Sequence, residues 1–255
     1  MNDSRLKKQL LNLYVTAFPE DGVPFANDFI TRFYKNNCRY IALDGKAVSM
    51  LFLFDCKISA DGREYPALYL YAAATLPDYR NCGLMKRLIG DAVKEAEQKG
   101  CFLITKPATE ALFDFYASCG FKTAFYYDEK TVALFNNNAS LCANKITPSK
   151  YVECRERLLC KTPHVTLTET TEYALSGLAL FAEDGFCAAV DFSDGRPKVK
   201  EFVSNGTVVE STLSGLIGCG EAVVRTCELK QPFAMLYNRN TDVLPPKMYF
   251  GIAMD

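Results

Sequence analysis

The chain has 255 residues, of which 49% are apolar and 23% charged, and its formal net charge is −1. This length favours two domains, and the near-neutral charge argues against a nucleic-acid-binding protein, which usually carries a basic excess. No apolar run reaches the roughly 18 residues that a membrane helix needs, and the polar stretch 1–9 lacks the apolar core of a secretion signal. We therefore expect a cytoplasmic protein without nucleic-acid or membrane partners.

The cysteine pattern gives no indication of a metal site. The chain has 11 cysteines and one histidine, His164, and no two cysteines have the C-x-x-C spacing of paired zinc ligands. We therefore predict no bound metal and reduced thiols, most of them acting as small core residues. His164 follows a proline at a predicted strand start, where a surface or capping role is expected.

Helical spacing opens the chain, with Leu6, Leu10 and Leu13 on one face of a predicted helix over 4–18. Pro19 and Gly22 end that helix. The further elements predicted in the first half are a helix over 24–35, strands over 39–43, 47–58 and 68–76, a helix over 84–99, a strand over 101–105, a helix over 110–119 and two strands within 121–135.

A polar stretch from residue 136 predicts a linker over 136–147, between domains over 1–135 and 148–255. The second half again alternates helices and strands, without a clear sequence repeat. Its predicted helices lie over 148–160, 171–181 and 207–217, and its predicted strands over 165–167, 186–192, 199–203, 223–227, 234–237 and 249–254.

The most informative motif joins the strand 68–76 to the helix over 84–99. The loop between them reads R-N-C-G-L-M-K over residues 80–86. The first amides of a helix have no internal partner and the helix dipole adds partial positive charge there. Gly83 permits close approach, while Arg80 and Lys86 add charge, so the loop suits a pyrophosphate. An ordinary strand-to-helix turn remains the alternative, because one glycine is weak evidence.

A second motif, F-Y-A-S-C-G-F over residues 115–121, closes the next predicted helix. With the R-x-x-G-x-x loop, this order of elements resembles the GNAT superfamily of N-acetyltransferases over residues 1–135. The G-L-M form of the loop and the segment 62–68 resemble the enhanced-intracellular-survival-like branch. Met85 departs from the family's usual small residue there and could crowd a phosphate.

This resemblance implies the fold class. It is an α/β (α+β) GNAT fold, in which a mixed central sheet is flanked by helices. In the branch named above, a second, smaller and degenerate GNAT-like α/β domain follows, and it would contribute here to the acceptor site.

The resemblance also implies roles for individual residues. The residues that would hold the CoA pyrophosphate are Arg80, Asn81, Cys82, Gly83, Leu84, Met85 and Lys86, and those whose backbone would bind the pantetheine arm are Ala73, Ala74 and Thr75. Tyr116 would lie near the thioester sulfur and protonate the leaving thiolate, and in that branch the terminal carboxylate, here Asp255, acts as the base. The alternatives are a packed core aromatic for Tyr116 and a solvated chain end for Asp255.

The function expected from these residues is transfer of an acetyl group from acetyl-CoA to a primary amine of a small molecule or peptide, by direct attack. A non-catalytic acyl-CoA-binding or protein-interaction module is the alternative. A nucleophilic Cys82 is disfavoured, because no histidine lies near it in the sequence to activate the thiol. The acceptor, the acyl-chain length and a homo-oligomeric state remain open.

Overall fold

A computed structural model describes residues 3–134, 145–166, 171–193, 195–206, 209–218, 220–237 and 243–253. The chain forms two compact units, each discontinuous in sequence. Unit 1 consists of Met1–Asp55, Pro66–Lys122 and Met235–Arg239, and unit 2 of Cys56–Tyr65, Thr123–Ala234 and Asn240–Asp255. Most of the predicted linker 136–147 lies outside the described residues, and the domain boundaries stay a prediction.

Unit 1 contains the elements from the N-terminus to the fourth helix. They are α1 (Asp3–Ala17), α2 (Gly22–Phe33), β1 (Cys38–Leu43), β2 (Lys46–Ala60), β3 (Arg63–Thr75), α3 (Leu84–Lys99), β4 (Phe102–Thr105) and α4 (Glu110–Ala117). Strands β2 and β3 also give residues to unit 2. Short 3-10 turns occupy Pro19–Asp21 and Pro77–Tyr79.

The two helix pairs of unit 1 cover opposite faces of its sheet. Leu51 packs in a buried cluster with Leu88 of α3 and Tyr116 of α4. Its neighbour Phe52 points the other way, because successive strand residues alternate between faces. The Phe52 ring meets the ring of Phe29 in α2 with 4.8 Å between centroids. The sheet is therefore sandwiched, with α3 and α4 on the face where the predicted loop begins its helix.

The C-terminal half of the chain supplies one strand segment to unit 1. The end of β10 (Gly220–Tyr237) pairs antiparallel with β4, with Met235 opposite Thr105 and Tyr237 opposite Leu103. On its other side β4 pairs parallel with β3. Both edges of this four-residue strand are therefore hydrogen-bonded, which fits its complete burial.

Unit 2 contains the remaining elements. They are β5 (Lys122–Leu134), α5 (Pro148–Leu158), β6 (His164–Thr166), α6 (Thr171–Ala174), β7 (Ala179–Glu183), β8 (Phe186–Asp191), β9 (Lys198–Ser204), α7 (Val209–Ile217), most of β10 and β11 (Met248–Tyr249). Its strands run in the order β2-β6-β11-β5-β10-β9-β8-β7. Parallel and antiparallel pairs both occur, because β9 pairs parallel with β10 and antiparallel with β8.

Each unit thus has a mixed sheet with helices packed on it, which confirms the predicted fold class. Four predicted strands merge into two. The two strands within 121–135 are one strand, β5, and those over 223–227 and 234–237 are one strand, β10. In β10 buried and exposed residues alternate from Ala222 to Thr226, and the strand continues to Tyr237 through the stretch where a break was predicted.

The predicted helix over 171–181 ends at Ala174, and β7 follows it. Gly177 adopts φ = 81°, which interrupts a helix, and Phe181 pairs with Ala188 of β8. The predicted strand over 249–254 is shorter, because only Met248–Tyr249 pairs. Among the described residues no helix is both long and apolar enough to cross a membrane.

Candidate active site

The start of α3 presents backbone amides to solvent. Gly83 stands before the first helical residue with φ = 74°, and no side chain caps the helix. The first amides of the helix have no intrahelical acceptor. A Cβ built on Gly83 would meet nothing within 4 Å, so the space beside this glycine is open. This turn can therefore bind an anion through its backbone.

The side chains around this turn are mostly solvent-exposed. Arg80, Asn81 and Cys82 are exposed, and Asn81 has φ = 61°. The Arg80 Nε donates to the carbonyl oxygen of Thr75 at 3.1 Å, which anchors the guanidinium beside the end of β3. Met85 is half-buried and packs against the core under α3, so its bulk is directed at the core. Of the seven predicted loop residues, 80–83 form the turn and 84–86 are the first residues of α3.

Strand β3 extends beyond the end of β4, and we call the place after their last pair the fork. Their pairing ends with Leu70 opposite Thr105, although β3 continues to Thr75. Ala72 has φ = 48°, a conformation that costs a non-glycine residue free energy and marks a local irregularity in the strand. The predicted pantetheine-binding residues 73–75 therefore lie beyond the end of β4, at the same end of the sheet as the loop 80–86.

Tyr116 lies beside this fork. Its side chain is buried in the cluster under α3, in contact with the ring of Phe121 at 5.5 Å between centroids. Burial raises the pKa of Tyr116, and a hydrogen bond with the Thr105 side chain partly counters this. Thr105 ends β4, and its hydroxyl donates to the Leu70 carbonyl at 3.4 Å. The phenol is therefore placed at the last paired residues of the fork and stays protonated at neutral pH.

Steric constraints explain why the second motif has a glycine at position 120. Gly120 adopts φ = 92°, and a Cβ there would lie 2.9 Å from Cε2 of Tyr237. The Tyr237 ring also packs on Phe121 with 5.6 Å between centroids. The motif Y-x-x-x-G-F therefore lets the chain turn tightly between α4 and β5 while packing against the strand supplied by β10.

One polar group at the α1–α2 junction was missed by sequence reasoning. The Tyr14 hydroxyl donates to Asp21 Oδ2 at 2.7 Å and lies 3.4 Å from the Tyr71 hydroxyl. Burial raises the pKa of both Asp21 and Tyr14. Tyr71 lies two residues before Ala73 on β3, so this chain of hydroxyls leads from a carboxylate toward the fork. No sequence signal links the three, since tertiary packing alone brings them together.

The remaining candidates are placed as follows. Asp255 lies outside the described residues, and the segment before it is buried from Phe250 to Ala253. The expected surface or capping place for His164 was wrong, because it is 1% exposed and its Nε2 lies 2.7 Å from Glu156 Oε2. All nine described cysteines are free thiols. Within the described part of the chain, no group of three or more potential metal ligands occurs.

Comparisons with known proteins identify a family domain in the first part of the chain and similar folds among solved structures. Residues 4–124 match the family model described as an acetyltransferase (GNAT) domain. By sequence, no curated protein matches the chain. Among solved structures, a GCN5-related N-acetyltransferase from Anabaena variabilis matches 92% of this chain and 70% of its own, at 14% identity and a TM-score of 0.73.

Two further structures are similar over both units. A GCN5-related N-acetyltransferase from Kribbella flavida matches 92% of this chain and 69% of its own, at 14% identity and a TM-score of 0.68. Eis1 from Mycobacterium abscessus matches 88% of this chain and 64% of its own, at 10% identity and a TM-score of 0.63. At these identities the likeness is one of fold. The family model identifies the first part of the chain, residues 4–124, as a GNAT acetyltransferase domain.

Proposed function

We propose that the protein transfers an acetyl group from acetyl-CoA directly to a primary amine of a small molecule or peptide. The observation that carries this proposal is the open turn at the start of α3, where Gly83 faces empty space and uncapped amides point outward. A diphosphate fits these amides, and Arg80 and Lys86 add positive charge. The donor would then lie with its pantetheine arm along residues 73–75 of β3.

The chemistry follows from groups at the fork. The amine nitrogen attacks the thioester carbonyl, the bond from carbon to sulfur breaks, and the leaving thiolate takes a proton. Tyr116 is the proposed donor of that proton, because its raised pKa keeps the hydroxyl protonated and its position next to Thr105 is at the fork. A backbone amide near Thr75 would stabilise the developing negative charge on the carbonyl oxygen.

Two carboxylates are candidates for the base that deprotonates the amine. Asp255 is the candidate suggested by the resemblance. Asp21 is favoured by its link through Tyr14 to Tyr71 and by a pKa that burial raises toward the working pH. Of the two variants Asp21→Asn and Asp255→Asn, we expect the one that removes the base to lower kcat/KM about 10²-fold. The same variant should flatten the acidic limb of the pH profile of kcat/KM.

The donor site is tested by binding. Gly83→Val places a branched side chain in front of the amides at φ = 74° and should weaken CoA binding at least tenfold in calorimetry. Gly62→Val is the matched control, since Gly62 has φ = 71° and the same open surroundings in the β2–β3 turn. Equal CoA affinity in both variants would contradict the proposed donor site.

Catalysis is tested separately by mass spectrometry of acetylated products from a broad amine panel. Transfer by the wild type, lost in Gly83→Val and kept in Gly62→Val, supports the proposal. CoA binding without transfer to any amine would instead support an acyl-CoA-binding module. Absence of CoA binding would favour an interaction module.

A further inference from the structure

A cavity of about 340 Å³ lies in unit 1 between α1 and the start of β2. Three cations line it: Arg5, Lys8 and Lys46. Its floor is apolar and buried, formed by Ala47 and Leu76. The cavity is large enough for a small anionic group with its neighbouring atoms.

The polar wall of this cavity is organised by α1. Arg5, Lys8, Gln9 and Asn12 recur at intervals of three and four residues, so they share one face of the helix. Gln9 fixes this face against the β1–β2 turn, because its Nε2 donates to the Gly45 carbonyl and its Oε1 accepts from the Ala47 amide, both at 3.0 Å. The wall is therefore held in place without a ligand.

The charge of this cavity is unbalanced. No carboxylate lines it, and among the described residues none of its three cations forms an ion pair. Other surface cations of the chain do pair, as Arg32 with Asp28 and Lys57 with Glu64. Like charges close together repel, and an anion between them relieves that repulsion.

The cavity lies next to the proposed donor site. Lys46 Nζ stands over the ring of Tyr79, 5.3 Å from its centroid, and Tyr79 directly precedes Arg80. Leu76, on the cavity floor, directly follows Thr75, whose carbonyl accepts from Arg80. A ligand group bound here would therefore lie near the end of β3.

We propose that Arg5, Lys8 and Lys46 form a binding site for an anionic group, a phosphate or carboxylate, carried by a substrate of the acyltransferase. The link to a substrate rests on the proposed function, whereas anion binding itself does not. Two sources fit this chemistry: the 3′-phosphate of CoA and an acidic group on the amine acceptor.

Anion binding is tested by nuclear magnetic resonance, following the Gln9 side-chain amide while inorganic pyrophosphate is added at low ionic strength. We expect a saturable shift in the wild type and at least tenfold weaker binding in Lys8→Glu/Lys46→Glu. Lys122→Glu/Lys161→Glu changes net charge equally at two exposed positions outside the cavity and should bind like the wild type. No saturation, or equal binding in all three proteins, overturns the proposal. If the spectrum of the charge-reversed variant shows that it is misfolded, the test is repeated with Lys8→Gln/Lys46→Gln.

The source is identified by two ratios measured in the wild type and Lys8→Glu/Lys46→Glu. A 3′-phosphate in the cavity predicts that the affinity ratio of CoA to 3′-dephospho-CoA falls toward one in the variant. An acidic acceptor predicts that this ratio is unchanged while the kcat/KM ratio of phosphoethanolamine to ethanolamine falls at least tenfold. If neither ratio changes, the cavity binds no substrate group and the proposal is overturned. The pyrophosphate titration needs no acetyl transfer, so its result is separable from a failure of the proposed function.

Discussion

A tyrosine hydroxyl in an apolar cluster is costly to ionise, and this decides what Tyr116 can do. Its ring packs between Phe115 and Phe121, and its hydrogen bond is to Thr105 at the end of β4. Burial raises its pKa above the ordinary value of about 10. The group is therefore protonated at neutral pH, so it holds a proton that it can give to a more basic thiolate and does not act as a base.

Tyr116→Phe removes the proposed acid and keeps the ring. We expect kcat for acetyl transfer to fall about 10²-fold, with KM for acetyl-CoA within about twofold. An acid works only while protonated, so wild-type activity should persist to alkaline pH and fall as pH rises through the raised pKa. Steady-state kinetics at several pH values measures both. Tyr237→Phe, the same atomic change at a hydroxyl 3.4 Å from Glu97, is the control, and an unchanged kcat in Tyr116→Phe would remove it from the mechanism.

Gly120→Ala tests the tight turn of the second motif. The new methyl would be forced against Tyr237 at φ = 92°, so we expect a loss of about 1–3 kcal/mol in the free energy of unfolding. Gly90→Ala is the control, since this helical glycine has nothing within 4 Å and should gain about 0.5–1 kcal/mol. Urea denaturation measures both, and similar effects at the two positions would refute the steric explanation.

At the scale of elements, α3 is the helix that presents the turn proposed to bind the diphosphate. Apolar residues fix its inner side, and Glu95 ties its outer side to β1 through Arg39, with Nε and Nη2 at 2.9 and 2.8 Å from the carboxylate. Lys99 adds a third contact at 2.8 Å. The hydrogen bond from Arg39 is the largest cause that lowers the pKa of Glu95, to about 2.

This lowered pKa makes the tie pH-dependent. The pKa of Glu95 is below its ordinary 4.5 in the folded chain, so the stabilisation is present above pH 4.5 and is lost as pH falls toward 2. We expect Glu95→Gln to be less stable than the wild type at pH 6, with the difference shrinking by pH 3. Urea midpoints at pH 6, 4 and 3 measure it. Asp91→Asn, which loses one exposed pair with Lys94, should show a smaller effect, and a pH-independent difference for Glu95→Gln would contradict the assignment.

At the scale of the whole molecule, each unit is completed by contacts between residues that are far apart in the sequence. Unit 1 takes Met235–Tyr237 as the antiparallel partner of β4. Unit 2 buries an ion pair, Arg155 with Glu201, whose side chains are both 0% exposed, and Tyr151 donates to the same carboxylate at 2.6 Å. Gly251 is required beside it, because a Cβ there would overlap Glu201 Oε1.

Removing one partner of that buried pair leaves an uncompensated charge. We expect Arg155→Met to lower the free energy of unfolding by about 3–5 kcal/mol, and Arg155→Met/Glu201→Leu to lose less than that single variant. Urea denaturation of the two variants and the wild type gives the comparison. A double variant less stable than Arg155→Met would show that the carboxylate is held by its other partners.

A fragment of residues 1–135 tests the contribution of β10. Without Met235–Tyr237, β4 loses one paired edge, so we expect the fragment to unfold at lower urea than the full chain and to bind the dye ANS. The control is the full chain cut at a protease site inserted within 136–147, which keeps those residues present. A fragment as resistant to urea as the cut chain would contradict the role given to β10.

Several features were predictable from the sequence because they depend on local rules. The bounds of α3 follow from apolar spacing and from Gly100, which ends the helix at φ = 65°. The hairpin of β8 and β9 follows from alternation and turn residues. The loop 80–86 follows from one glycine, a following helix and nearby charge. In each case the residues concerned lie within a few positions of each other.

The sequence by itself determined most of the local elements, the turn at the start of α3 and the family resemblance, because helix ends, strand alternation and turn glycines depend on near neighbours. Only the tertiary structure decided that Met235–Tyr237 completes unit 1, that Asp21 and Tyr71 meet through Tyr14, and that Arg5, Lys8 and Lys46 line one cavity. Contacts between residues far apart in the chain are set by packing and by which hydrogen-bonding edges remain to be paired, and no local pattern encodes them.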